Sequence, residues 1–167
     1  DDALLEEIEA RVASEGAKGI LKNAEFIEKI VKARKNKVWE REGKIKEWKV
    51  LRRAVDLLRA IENSLAKIAQ GNMSLTEAYF QQWWRLDQIY RELASLEKDV
   101  RYSVRSTFIE PAAQRYQIWL EKTNKAFTQE VAALKRWPPQ GVLSQTSFWK
   151  ECVKPHRKLC VFLLDAL

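Results

Sequence analysis

The sequence predicts an all-α protein, an elongated helical bundle with one very long helix, ending in a single orphan β-strand. Five Gly and four Pro in 167 residues are too few turn-formers for a fold of many short strands. Apolar residues recur every three or four positions over most of the length, the spacing of one helix face. The final stretch departs from this. After Lys154-Pro155-His156-Arg157-Lys158, the six apolar residues at 159–164 run without alternation and stop at Asp165, as does a strand buried on both faces of a parallel sheet. Such a run also fits a short helix sealing the bundle. Nothing earlier offers it a partner strand, so the expectation is a chain that stops as its sheet begins.

Taken in order, residues 1–15 place Leu4, Leu5, Ile8 and Val12 at helical spacing. The early Asp1, Asp2, Glu6, Glu7 and Glu9 suit the positive end of a helix dipole, and Gly16 and Gly19 predict its stop. Residues 23–70 hold no Pro and one glycine, Gly43. Apolar positions from Phe26 and Ile27 through Trp48, Leu51, Val55, Leu58, Ile61 and Ile68 predict one very long helix, or two bent near Gly43. Unbroken, it would span on the order of 70 Å at 1.5 Å per residue, longer than a compact domain of this size, so part of it projects.

Gly71-Asn72 closes that element, and Ser74-Leu75-Thr76-Glu77 is a capping box. The helix it starts carries Tyr79, Trp83, Leu86, Tyr90, Leu93 and Val100. Residues 101–108 are expected to loosen. Pro111 then opens another amphipathic helix with Tyr116, Trp119, Leu120, Phe127, Val131 and Leu134, ended by Trp137-Pro138-Pro139-Gln140-Gly141. A helix of about two turns is expected at 146–153. The domain organisation read from this is a helical bundle over 1–140, its antiparallel pair at 74–136 packing on the distal half of the long helix, followed at 141–167 by a short helix and the first strand of a truncated domain.

Charge points to an anionic partner as one function class. Residues 32–53 carry ten basic side chains against Glu40, Glu42 and Glu47, and the net charge of the chain is +7. Lys35, Lys37, Arg41, Lys44, Lys46, Lys49, Arg52 and Arg53 are candidate phosphate contacts, with Trp39 and Trp48 as stacking residues. The plainer alternative is a solvated helix face. A third option is a coiled-coil seam through residues 45–68, although only one broad stripe is present where two would be needed.

Catalytic patterns are sparse. His156 stands beside Arg157 and Lys158, where a histidine is ordinarily a surface residue. No glycine loop for phosphate and no Cys/His cluster with ligand spacing is found. Asp87, Glu92 and Glu121 are candidate buried acids, or simply partners for Arg85, Arg91 and Lys122. Cys152 and Cys160 suit a reducing, cytoplasmic compartment. No apolar run approaches about 18 residues, so no membrane partner is expected.

Ser147-Phe148-Trp149-Lys150-Glu151-Cys152-Val153-Lys154-Pro155, followed by Val161-Phe162-Leu163-Leu164-Asp165-Ala166-Leu167, resembles the beginning of the PglZ domain of BREX bacteriophage-resistance proteins. There a phenylalanine-rich short helix and a Val-x-Pro turn lead into a strand ending in Asp-Ala-Leu-Arg-Tyr-Glu. Trp84-Arg85-Leu86-Asp87-Gln88-Ile89-Tyr90-Arg91 and Arg115-Tyr116-Gln117-Ile118-Trp119-Leu120 resemble the helical region before that domain. The resemblance implies a parent in the alkaline phosphatase superfamily, a metal-dependent phosphatase or phosphodiesterase using two divalent metals, usually zinc, and a Thr or Ser nucleophile. It makes Asp165 a metal ligand in that parent. The nucleophile loop and remaining ligands are not in this chain, so no catalytic residue and no cofactor are assigned to it, and one carboxylate does not hold a two-metal site. The role expected is a non-catalytic helical spacer and docking region whose partners are other proteins of a defence complex. The alternative is a nucleic-acid-binding helical module using residues 32–53.

Overall fold

Side chains repeating every three or four residues form an apolar stripe that a helix must bury against something. In a computed structural model, which describes residues 2–34, 45–71, 74–136, 138 and 144–155, the elements are helical and no strand occurs among the described residues. The all-α class is as the sequence predicts. The apolar run at 159–164 and Asp165 lie outside the described residues. The chain divides into two units, Asp1–Glu130 and Val131–Leu167.

In the first unit, α1 (Asp2–Val12) buries Leu5, Ile8 and Val12. Gly16 takes φ +54°, a left-handed conformation that favours glycine, and turns the chain into α2 (Gly16–Lys22). Gly19 is not the stop that the sequence suggests. It lies buried inside α2, where an added Cβ would come 2.6 Å from the Val12 carbonyl oxygen. Its glycine permits the close approach of two backbones. Asn23 then donates from Nδ2 to the Gly19 carbonyl at 2.9 Å, and α3 (Ala24–Arg34) follows, burying Ala24 and Ile27.

Of the two expectations for residues 23–70, the single long helix is not what forms, and Gly43, where a bend between two helices is expected, lies outside the described residues. α4 (Ile45–Gln70) is 26 residues long and lies beside α3, because Glu28 pairs with Arg59 and the Arg34 guanidinium sits 4.9 Å from the Trp48 ring centre. Later residues of α3 meet earlier residues of α4, so the two run antiparallel. The physical reason is burial on more than one side of α4. Trp48, Val50, Leu51, Ala54, Val55, Leu57, Leu58 and Ile61 are all buried, and each large aliphatic among them is worth about 1.5–3 kcal/mol when removed from water. A projecting rod would forfeit that gain; helices α2 and α3 cover part of the circumference and α6 covers another.

The Ser74 half of the capping box starts the helix as expected, while the Glu77 carboxylate turns forward rather than back. Ser74 Oγ accepts from the Glu77 N–H at 3.4 Å, and α5 (Leu75–Ala78) continues through a π turn, Tyr79–Trp83, into α6 (Trp84–Ser95). The Glu77 carboxylate accepts from Gln81 Nε2 at 2.8 Å. A 3₁₀ turn, Glu97–Asp99, and extended Val100 end the run. α6 packs on α4, which agrees with the expected packing of the 74–136 pair.

Residues 101–108 do not loosen. α7 (Tyr102–Val104) passes through a second π turn, Arg105–Ile109, into α8 (Glu110–Ala133). Val104, Phe108, Ile109 and Ala112 are buried, which sets a helical spacing across the stretch. Its polar side chains are also engaged, as Arg101 reaches Glu9 at 2.8 Å and Asp2 at 3.4 Å. Pro111 lacks an N–H and crowds the carbonyl one turn earlier; the widened π turn directly before it relieves that conflict.

In the second unit, a 3₁₀ turn, Gln145–Ser147, and a π turn, Trp149–Val153, occupy the place of the expected two-turn helix. Phe148 and Trp149 are exposed there, and Cys152 is a free thiol.

Candidate functional site

An organised polar centre forms where α6 meets α8. Asp87 on α6 accepts two hydroxyl hydrogen bonds, from Tyr79 to Oδ2 and from Tyr116 to Oδ1, each at 2.6 Å. Tyr79 and Asp87 are eight apart, and the π turn between them inserts one residue, so they share a face as residues seven apart do in an uninterrupted α-helix. Tyr116 arrives from α8, where Ala112, Tyr116, Trp119 and Thr123 form the buried face.

One of the two tyrosines that hold the carboxylate belongs to an aromatic cluster. The Tyr116 ring stacks on Tyr90 at 4.0 Å with 8° between planes, lies 5.5 Å from Trp119, and Trp119 meets Trp83 edge-on at 6.3 Å. Offset and edge-to-face pairs of this kind add to burial alone. Burial, the hydrogen bond to Asp87 and the negative charge of that carboxylate push the Tyr116 hydroxyl well above its ordinary pKa. The Asp87 hydrogen bond is the main reason that Tyr79 is also raised, with burial and charge adding to it and Arg91 opposing it. Both phenols therefore stay protonated and donate. Chemically this is a clamp between two helices, with both carboxylate oxygens occupied by tyrosines.

The outer side differs in character. Tyr79, Phe80 and Trp84 are 42, 65 and 42% exposed, and the Arg85 guanidinium covers the Trp84 ring at 5.4 Å. Beside them is a groove of about 390 Å³ with Ala78 and Trp83 among its lining, together with Lys67, Gln70, Ser74, Glu77, Gln81 and Gln82. Exposed aromatics grouped in this way are a feature of interaction surfaces.

The residues proposed from sequence are distributed differently. Lys35, Lys37, Trp39, Arg41 and Lys44 lie outside the described residues, as does Asp165. Lys46 pairs with Asp99 at 3.0 Å, Arg52 approaches Asp56 at 3.8 Å, and Arg53 pairs with Glu92 at 2.7 Å and Asp56 at 3.3 Å. Lys49 is exposed, with no ion-pair partner among the described residues, and Trp48 is 5% exposed in the core. Asp87 and Glu92 are half-buried, yet their partners are Tyr79, Tyr116 and Arg53 rather than Arg85 and Arg91. Glu121 is exposed.

Among the described residues, no group of three or more His, Cys, Asp or Glu side chains is placed to hold a metal ion, and no helix is long and apolar enough to cross a membrane. No protein-family model, curated protein or solved structure matches the chain.

Proposed function

We propose that this chain is a non-catalytic helical spacer and docking region that stands before a PglZ-type metal-dependent phosphatase or phosphodiesterase domain in a cytoplasmic bacteriophage-defence assembly. One observation carries the reading. The two stretches that resemble the helical region before such a domain, residues 84–91 and 115–120, come together as a single joint in which Asp87 and Tyr90 meet Tyr116. A carboxylate held by two tyrosines, backed by Trp83 and Trp119, fixes two helices against each other, and Phe80 and Trp84 remain available outside for protein partners. In the intact parent, Asp165 is the expected ligand for a divalent metal, zinc being the usual one.

The test has two parts. The coding sequence beyond Leu167 is expected to continue Arg-Tyr-Glu, and any other continuation removes the basis of the family reading. The purified chain supplied with zinc is expected to hydrolyse p-nitrophenyl phosphate no faster than a blank; turnover above it contradicts a non-catalytic role. The alternative of a nucleic-acid-binding module is less favoured, because Lys46, Arg52 and Arg53 already face carboxylates and Trp48 is in the core. Duplex DNA affinity that falls steeply with salt and is lost on charge reversal of Lys35, Lys46 and Arg53 would restore it.

A further inference from the structure

We propose that Glu130 is a latch that sets how much of α8 stays docked on the helical bundle, and hence where the rigid spacer ends. It goes beyond the spacer reading by naming the element that fixes its length. Apolar packing of α8 stops early. After Thr123 no side chain among residues 124–133 is fully buried, and within them only the half-buried Ala126 packs against the core, so nearly three turns have little apolar contact to hold them. A helical stretch of about ten residues is marginal in water without tertiary support.

Glu130 supplies that support from near the end of the helix. Its Oε2 accepts the Leu75 N–H at 2.6 Å, and its Oε1 accepts the hydroxyls of Ser74 at 3.0 Å and Thr76 at 3.3 Å. These donors precede it by 54–56 residues. The first N–H groups of a helix lack partners within it and are ordinarily capped by a neighbouring residue. Here a carboxylate from another helix shares that task with Ser74, so the same bonds that start α5 hold the end of α8. Glu130 is also the last residue of the first unit. Released, α8 would dock only to about Thr123, and the outgoing chain would gain roughly ten residues of free length.

Hydrogen exchange on the full chain tests this, comparing wild type with Glu130→Gln and, as a control on the same helix, Glu121→Gln. Loss of a charge-assisted bonding set is expected to lower protection about tenfold across 124–133 in Glu130→Gln. Protection at 110–123 and in α4 should be unchanged, as should the Glu121→Gln pattern. Ser74→Ala with Thr76→Val should reproduce part of the loss. Unchanged protection at 124–133 overturns the latch, as does loss confined to residues 75–78, which would make Glu130 a cap only. A uniform loss over all helices also overturns it, because the bond would then support the whole fold. None of these outcomes bears on the coding sequence beyond Leu167 or on phosphatase activity, so the latch and the spacer reading fail separately.

Discussion

The half of the first unit around α4 and the half where α6 meets α8 are built on different physical terms. Around α4 the contacts are mostly aliphatic: Ile20, Ile27, Leu51, Leu57, Leu58 and Ile61 are fully buried, with Trp48 the one buried aromatic of the helix, and charged side chains stay at the margin, as in the Glu28–Arg59 pair. Between α6 and α8 the contacts are rings and hydroxyls directed at one carboxylate. An aliphatic core tolerates changes of partner with similar volume. The aromatic joint does not, since each ring and hydroxyl there has a direction. The first half supplies stability, and the second specifies which surface faces outward.

Large-to-small substitutions should have the largest effect in both halves, and their ratio shows whether the two unfold together. Trp119→Ala is expected to cost about 3–5 kcal/mol and Leu57→Ala about 2–5 kcal/mol, measured by urea unfolding. A Trp119→Ala cost below about 1 kcal/mol would mean that the aromatic half does not share the cooperative core. Next is Gly19→Ala. Helix propensity alone favours alanine by about 1 kcal/mol, yet the added Cβ meets backbone, so a net loss of about 1–3 kcal/mol is expected. A rise in melting temperature would show that the α1–α2 crossing can spread.

The polar centre should give a smaller, coupled effect. In a double-mutant cycle, Asp87→Asn and Tyr116→Phe are expected to show a coupling of roughly 1–2 kcal/mol. The pH dependence follows from the raised Tyr116 hydroxyl. Above the ordinary value of 10.0 the unfolded chain loses a proton that the folded chain keeps, so the stability contribution is full below that pH and declines above it. Tyr116→Phe should flatten this alkaline decline in denaturant midpoints. Glu130 behaves with the opposite sign. Burial works to raise its carboxyl, but hydrogen bonds from Leu75, Ser74 and Thr76 bring it below the ordinary 4.5. Its contribution is therefore present above that pH and lost in stronger acid.

Ion pairs at the α4 margin should matter least. Arg53→Ala is expected to cost about 0.5–1 kcal/mol, since its pair with Glu92 is about 30% exposed, and Lys46→Ala less than about 0.5 kcal/mol. Raising salt should shrink both. Costs of several kcal/mol would make the margin part of the core.

Periodicity made the aliphatic half legible. Leu5, Ile8 and Val12 of α1, and Leu51, Val55, Leu58 and Ile61 of α4, lie buried where a 3.6-residue repeat puts them, and the Ser74 cap follows from a local motif. The antiparallel reversal between α3 and α4 was only half legible: Gly43 offers a bend between two helices, but nothing in the sequence marks the pairing of Glu28 with Arg59, 31 residues apart. The joint was hidden for a related reason. A π turn adds one residue without any composition signal, so the sequence offers Asp87 only as a buried acid or an arginine partner and Tyr79 only as an apolar position. Pro111 before a run of helix was the available hint of the second π turn, and it was read as a helix start. Glu130 carried no signal at all, since its donors lie more than fifty residues upstream.

The π turn ahead of Pro111 has a mechanical meaning. Residues 102–133 are helical throughout, but a proline behind a widened turn weakens the ladder there, and bending concentrates at such places. Load arriving along α8 would therefore be absorbed as flexure beside Phe108 and Ile109. The strut would yield at its root, beside the buried Phe108, rather than along its straight α-helical part.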